Sequence, residues 1–161
     1  MSGPPGARDI EDRADCERLV RAFYGRALTD PMIGWIFVDV ARLDLEAHVP
    51  VIASFWETIL LGVPSYRGGA FAPHAALHAR VPLRAGHFER WLTLWRATVD
   101  ELFAGPRAEQ AKAHAERVAR AFHRRLHGLP DPDAAPAPIQ VAPGPAPPLV
   151  VTWHGPPPRS G

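Results

Sequence analysis

The sequence is short of cysteine, of net charge and of long apolar runs, and each shortage excludes a class of protein. Cys16 is the only cysteine, so no internal disulfide can form and the fold does not depend on an oxidising compartment. The net charge of +1 gives no reason to expect nucleic acid or an anionic membrane as a partner. No apolar run reaches the length of a membrane span, and residues 1–13 contain no signal-peptide core. We therefore expect a cytoplasmic protein that binds neither nucleic acid nor membrane, with a monomer as the simplest assembly.

The motifs of several enzyme classes are missing as well. The sequence has no Gly-rich phosphate loop between a strand and a helix, and it has no nucleophile elbow, which disfavours nucleotide binding and serine- or cysteine-dependent hydrolysis. His74 and His78 in "HAALH" have the spacing of zinc ligands on one helix face, but no acidic residue accompanies them. A zinc site is therefore a weak interpretation.

Proline is abundant but unevenly distributed, and its distribution divides the chain. Eleven of the 19 prolines lie in residues 129–161, where they prevent a helical hydrogen-bond pattern and favour an extended, disordered tail. The apolar island "LVVTW" at 149–153 could be a docking peptide or could pack back on the domain. We predict an N-terminal arm over 1–13, one folded domain over 14–128 and the Pro-rich tail over 129–161.

Within the predicted domain the apolar periodicity is helical, and no convincing alternating strand is present. Four substantial helices are predicted, and residues 64–86 are predicted to be irregular. The second helix should stop at Gly62 and should hold Pro50 in its first turn, with His48 at its start. The last helix should begin at Pro106 and end at Gly128. Its predicted inner face consists of Ala113, Val118, Ala121, Phe122 and Leu126. The fold class is therefore all-α, with mostly short connections.

The candidate site is suggested by three histidines between two aromatic-rich helices. His74, His78 and His87 follow the helix that carries Trp56 and precede the helix that carries Trp91. Buried Tyr and Trp need partners for their polar atoms, so a bundle built only for stability would use Leu and Ile instead. One imidazole is enough as an axial ligand of haem, and an apolar cleft holds the ring. Haem is therefore the other cofactor candidate, beside a zinc ion.

Four segments of the chain occur in the order and approximate spacing of the group III truncated haemoglobins. They are "AFYGRALTDPMIGWIF", "HVPVIASFWETILLG", "YRGGAFAPHAAL" and "HFERWLTLW". The chain resembles this family from Ala14 to about Leu126. The resemblance implies a shortened globin fold of the globin superfamily, a two-over-two helical sandwich around haem b (iron protoporphyrin IX).

The same resemblance implies a set of site residues. His74 matches the proximal iron ligand, and His78, one helical turn further along, is the alternative. On the distal side, the family stabilises the bound ligand with side chains that match Tyr24, His48 and Trp91. Cofactor contacts are expected from Phe37, Ile52, Phe55, Trp56, Tyr66, His74 and Trp91. Basic partners for the haem propionates are expected from Arg67, Arg80 and Arg84. The histidines expected to be capping or solvated residues are His87, His114, His123 and His127.

The function implied by the resemblance is binding of O₂, NO and CO at a five-coordinate iron in a polar distal pocket. It extends to NO dioxygenase or peroxidase-like turnover, for which an external reductase or other electron donor would be needed. The alternative is a haem-based sensor or interaction protein that signals through the Pro-rich tail.

Overall fold

The structure, a computed structural model, describes residues 5–129 of the chain. Residues 1–4 and 130–161 lie outside the described residues. Nearly all of the predicted Pro-rich tail, including its apolar island at 149–153, therefore falls outside them. The described part forms five α-helices and no β-strand, which confirms the all-α class. The helices are α1 (Arg13–Ala27), α2 (Leu45–Leu61), α3 (Phe71–Arg80), α4 (Ala85–Leu102) and α5 (Pro106–Leu126), with a π-helical turn at Ile36–Val40. None of these helices is long and apolar enough to cross a membrane.

The four longest helices form two packed layers. Helix α1 packs on α2, and α4 packs on α5. The layers are joined by contacts of α1 with α4 and of α2 with α5, while the shorter α3 contacts α5. Large side chains fill the space between them, among them Phe23, Trp56, Trp95 and Phe103, each almost fully buried. Burial of each such ring contributes about 1.5–3 kcal/mol, so this core stabilises the layers that surround the site.

Helix α2 ends as predicted but begins earlier. Gly62 follows its last turn in the left-handed region (φ 71°), which a glycine adopts without strain. The Asp44 side chain accepts a hydrogen bond from the Ala47 N–H and so caps a helix that starts at Leu45. The expectation for Pro50 is therefore wrong, because Pro50 lies in the second turn, where it cannot donate to the Glu46 carbonyl. His48 consequently lies inside the helix and is not at its start.

The prediction of an irregular segment over 64–86 is also wrong, because α3 lies within it. Pro73 is the third residue of α3, a position whose N–H has no partner inside a helix, so it does not break the helix. Only Leu77 of this helix is buried. With one core-facing residue and a proline in the first turn, α3 has little of the apolar periodicity that makes a helix visible in a sequence.

Helix α5 presents a different face to the core from the one predicted. Its buried residues are Ala108, Ala111, Ala115 and Ala119. Ala113 and Ala121 are exposed, and Val118 and Phe122 are partly buried. A face of alanines allows close approach of a neighbouring helix, while the larger side chains are left to line the space beside it.

Residues before α1 pack against the start of α5. Ile10 is fully buried, and the Asp9 carboxylate accepts hydrogen bonds from the backbone N–H groups of Arg107 and Ala108. The Ala104 N–H also donates to the Arg8 carbonyl. Residues 8–10, part of the predicted N-terminal arm, thus supply the N-terminal cap of α5.

Candidate functional site

A cavity of about 410 Å³ lies among α1, α2, α3, α4 and α5. Its volume and its mostly apolar wall are those of a small-molecule or cofactor site. The structure brings nine of the predicted site residues to this cavity: Tyr24, Phe37, His48, Ile52, Phe55, Trp56, Tyr66, His74 and Trp91. His78, the alternative ligand, does not line it.

One polar feature of the wall is a pair formed by Tyr24 of α1 and His48 of α2. The Tyr24 Oη lies 2.6 Å from His48 Nε2, and the two rings meet edge to face. Only 6% of Tyr24 and 9% of His48 is exposed. Burial raises the pKa of Tyr24, and it lowers the pKa of His48 to about 4, with a smaller contribution from a charge on His74. Both side chains are therefore neutral at pH 7.

The second polar feature is His74 of α3. Its Nδ1 lies 2.6 Å from the carbonyl oxygen of Ala70, and because a carbonyl only accepts, Nδ1 carries a hydrogen and donates. Burial lowers the pKa of His74, so the ring is neutral at pH 7 and Nε2 holds an unshared lone pair. Metal-ligating histidines commonly have this arrangement, in which the other ring nitrogen donates to a carbonyl.

The environment of His78 is different. Its Nδ1 lies 2.9 Å from the backbone nitrogen of Leu83 and accepts that N–H, so this lone pair is already used. The His78 ring packs 4.9 Å from the ring of His127. Within the described residues no group of three or more His, Cys, Asp or Glu side chains could form a metal site. Of the three histidines in the wall, His48 bonds to Tyr24 through Nε2, and His87 accepts the Arg84 N–H at Nδ1. His74 is therefore the histidine of the wall whose Nε2 lone pair remains available to a cofactor.

The remaining histidines follow the prediction only in part. His87 caps α4 as expected, since its Nδ1 accepts the Arg84 N–H at 3.0 Å, but it also lines the cavity. His114 packs beside the rings of Phe55 and Trp56. His127 makes a hydrogen bond to the Leu83 carbonyl, a role that its position at the end of the last helix did not indicate.

Aromatic rings form a continuous part of the wall. Trp91 and Trp95 are parallel, with ring centroids 5.9 Å apart, and Trp95 stacks on Trp56 at 4.6 Å. The Trp95 Nε1–H donates to the Ala111 carbonyl at 3.2 Å, which satisfies the polar atom of this buried ring. Three indoles on α2 and α4 thus make one side of the cavity rigid and apolar.

The connection between α2 and α3 is held by side chains of α2. The buried Glu57 accepts hydrogen bonds from Arg13 and Ser65. Thr58 Oγ1 donates to the Val63 carbonyl and accepts the Tyr66 N–H. These bonds place Tyr66 against Phe55, with ring centroids 5.2 Å apart. The sequence pattern gave no sign of them, because the partners are polar residues of an ordinary helix surface and a loop.

Several further residues of the cavity wall were missed by the sequence analysis. They are Ile33, Ile36, Leu43, Leu77, Leu83, Phe88, Val118 and Phe122. The apolar character of residues 33–37 is a signal that could have indicated part of this set. Arg67, Arg80 and Arg84, expected beside haem propionates, are exposed and lie outside the wall.

This arrangement of helices has a counterpart among solved structures. The chain is similar to the crystal structure of a group III truncated haemoglobin from Campylobacter jejuni, with a TM-score of 0.66 and 24% sequence identity. The match covers 74% of this chain and 94% of that chain. No family model and no curated protein matches the chain. The chain therefore has the fold of a truncated haemoglobin.

Proposed function

We propose that this chain is a group III truncated haemoglobin that holds haem b in the cavity, with His74 as the proximal ligand and diatomic gases as its ligands. One observation carries the proposal. The same apolar cavity is lined by an imidazole with an unshared Nε2 lone pair and by a buried phenol–imidazole pair. The structural similarity to a protein described as a truncated haemoglobin supports it.

The residues present fit the cofactor. Haem requires one axial nitrogen and an apolar cleft, and the cavity provides the neutral His74 imidazole, with its Nε2 lone pair unshared, in a wall made mostly of aromatic and aliphatic side chains. His78 is a poorer candidate because its Nδ1 already accepts the Leu83 N–H and its ring lies outside the wall. Haem, when bound, supplies an iron coordination position for O₂, NO or CO.

On the proximal side, the protein's contribution is to orient His74. The hydrogen bond from Nδ1–H to the Ala70 carbonyl fixes the tautomer and the rotation of the ring. It also makes Nε2 a better electron donor, as second partners of ligating histidines generally do. Ala70 is the N-cap residue of α3, so the partner of His74 lies directly before the helix that carries it.

On the distal side, the position of one hydrogen decides what Tyr24 can do. The Nδ1 of His48 is buried and has no hydrogen-bond partner within residues 5–129. A hydrogen on that atom would be an unpaired buried donor, which is costly. Placing it on Nε2 instead lets His48 donate to the Tyr24 oxygen and leaves the Tyr24 hydrogen available to the cavity. We therefore assign the Nε2–H tautomer to His48.

Two residues of the cavity wall would then have a hydrogen to donate to a ligand, Tyr24 through its hydroxyl and Trp91 through its indole N–H. A hydrogen bond to a charged acceptor contributes about 1.5–3 kcal/mol, so two of them would slow the escape of a polarised ligand about a hundredfold or more. Retention of that size suits storage of a ligand or chemistry on it better than rapid exchange. Turnover of the NO dioxygenase or peroxidase-like kind would require an external electron donor.

The test is haemin uptake by the purified chain, followed by absorption spectra of the oxidised and the reduced protein. Wild-type protein and the His78→Asn variant are expected to give a five-coordinate ferrous spectrum. His74→Ala should lose it, and added imidazole should restore it because the cavity left by the side chain accepts the free ring. A wild-type chain that is folded but takes up no haemin contradicts the proposal, and loss of the spectrum in His78→Asn alone assigns the iron to His78.

A further inference from the structure

Leu83 lies in the loop between α3 and α4, yet only 6% of it is exposed. Its side chain lines the cavity and packs with Ile36 and Leu77 in a second, smaller hydrophobic cluster. Loops usually run along the surface because the polar groups of a buried peptide need partners. A buried loop residue in the cavity wall therefore requires a specific arrangement around its own N–H and C=O.

Both of these backbone groups are paired with histidines. The Leu83 N–H donates to His78 Nδ1 at 2.9 Å, and His127 Nε2 donates to the Leu83 carbonyl at 2.7 Å. His78 lies in the last turn of α3, and His127 directly follows α5. We call His78, Leu83 and His127 the Leu83 clamp. Through it, one peptide segment is held by two helices at once.

The chemistry of the partners fixes the tautomers of the clamp. A peptide N–H only donates, so His78 Nδ1 must be the acceptor and the ring hydrogen lies on Nε2. A carbonyl only accepts, so His127 Nε2 must carry a hydrogen. Neither role needs a charge, and replacing either imidazole by an apolar side chain would remove the partner of a peptide group of Leu83, a residue that is only 6% exposed.

We propose that His78 and His127 are positioning residues for the cofactor site. By pairing both peptide groups of Leu83, they hold its side chain in the cavity wall and fix the C-terminal end of α3, one helical turn beyond His74. The consequence for cofactor retention rests on the proposed function, whereas the pairing of the Leu83 peptide does not.

The experiment uses variants that separate hydrogen bonding from the presence of a ring. His78→Ala and His127→Ala remove the partners, and His127→Phe removes the N–H donor while keeping an aromatic ring. His78→Asn and His127→Gln keep an acceptor and a donor at about the same places, because an amide oxygen and an amide nitrogen can stand for Nδ1 and Nε2. His123→Ala is the matched control, since its ring lies 4.6 Å from that of His127 but it does not bond to Leu83.

Two quantities are measured: hydrogen exchange of the Leu83 amide in the purified full-length chain, and the rate of haemin transfer from the loaded protein to excess apomyoglobin. In His78→Ala, exchange should rise about tenfold or more, as expected for a lost buried hydrogen bond. His127→Ala and His127→Phe should raise both the exchange and the haemin transfer rate. His78→Asn, His127→Gln and His123→Ala should remain near wild type.

The other outcomes overturn the proposal in distinguishable ways. If hydrogen exchange of the Leu83 amide is unchanged in both alanine variants, the two histidines do not hold the Leu83 peptide and the clamp is refuted. Faster exchange with unchanged haemin transfer removes its role in cofactor retention. If the alanine variants do not fold, the amide variants decide, because failure of His78→Asn and His127→Gln to keep Leu83 protected also contradicts the proposal. A wild-type chain that takes up no haemin, but protects Leu83, refutes the proposed function and leaves the pairing intact.

Discussion

Tyr24 and His48 come from different helices, and the hydrogen bond between them decides where their hydrogens lie. Burial keeps both side chains neutral, and the 2.6 Å contact between them allows only one hydrogen between the two heavy atoms. With that hydrogen on His48 Nε2, the phenol acts as acceptor toward α2 and as donor toward the cavity. In the proposed function, the imidazole would orient the phenol without itself having to contact the ligand.

We predict that Tyr24→Phe accelerates O₂ dissociation from the reduced, haem-loaded protein by about tenfold or more, because one hydrogen bond to the ligand is lost. Stopped-flow exchange of O₂ for CO measures the rate. Tyr66→Phe removes the same atom from the other tyrosine of the cavity wall, whose ring packs on Phe55, so the comparison tests whether the effect is specific to Tyr24. An unchanged off-rate in Tyr24→Phe would remove this residue from ligand stabilisation.

The sequence could nominate His74 and His78 but could not choose between them by geometry. Residues four apart lie on one helix face, so periodicity treats the two alike. They differ in their partners: a carbonyl oxygen for His74 and a peptide N–H for His78. The first leaves Nε2 with a lone pair, and the second uses the lone pair of Nδ1. These partners belong to a helix start and a loop, whose positions follow from tertiary packing and not from local pattern.

The residues that cap a helix can be its neighbours in the sequence or can come from a distant part of the chain. Asp44 and Gly62 flank α2 in the sequence, and both act on it directly. The start of α5 is different, because its cap comes from Asp9, a residue 98 positions earlier than Arg107. Gly105, just before α5, has φ 139°, and a side chain there would lie 2.6 Å from the Asp9 carboxyl carbon. Glycine at this position is what admits the distant cap.

We predict that Asp9→Ala lowers the free energy of unfolding by about 0.5–2 kcal/mol, the usual cost of losing the N-terminal cap of a helix. Urea denaturation followed by circular dichroism measures the change. Asp9→Asn keeps an oxygen that can accept an N–H and should lose less. If the midpoint of Asp9→Ala equals that of the wild type, the contact with α5 contributes nothing to stability.

Helices α2 and α4 were predictable from their apolar stripes, whereas α3 was missed and α5 was predicted as a helix but with a different inner face. The apolar stripes of α2 and α4 include large residues such as Trp56 and Trp95, and both helices appear in the sequence pattern. Leu77 is the one residue of helix α3 that counts as buried, and α5 buries a row of alanines while Phe122 lines the cavity. A prediction from hydrophobicity assigns the large apolar side chains of α5 to the helix face in the core. In the structure Val118 and Phe122 line the cofactor-sized cavity instead.

The stability of the whole molecule depends on pH through ionisable side chains whose pKa the fold shifts. Burial keeps the pKa of His48 near 4, below the 6.5 of an unperturbed imidazole, so the unfolded chain binds more protons between these values. The pKa of His74 is lowered by burial in the same direction. Arg8 and Arg90 lower the pKa of Asp15 and Asp30, whose stabilising contributions are lost only at still lower pH, as each carboxylate becomes protonated in the folded state.

We therefore predict that the haem-free chain loses stability as the pH falls from about 6.5 to about 4, with at most about 3 kcal/mol of the loss due to His48. Urea denaturation at several pH values measures the slope. His48→Gln, which keeps a polar side chain without a titrating ring, should flatten it. A stability curve that is the same in both proteins over this range contradicts the pKa assigned to His48.

The contact between Asp9 and the start of α5 also has a practical consequence for handling the protein. Since Ile10 is fully enclosed and Asp9 is bonded across the molecule, a purification tag or fluorophore is best attached ahead of Arg8. Shortening the chain to the first residue of α1 would remove the hydrogen bonds of Asp9 and the packing of Ile10, and it would expose the apolar surface that Ile10 covers. A shortened gene designed from helix boundaries alone would therefore yield a less soluble product than one that keeps those few extra residues.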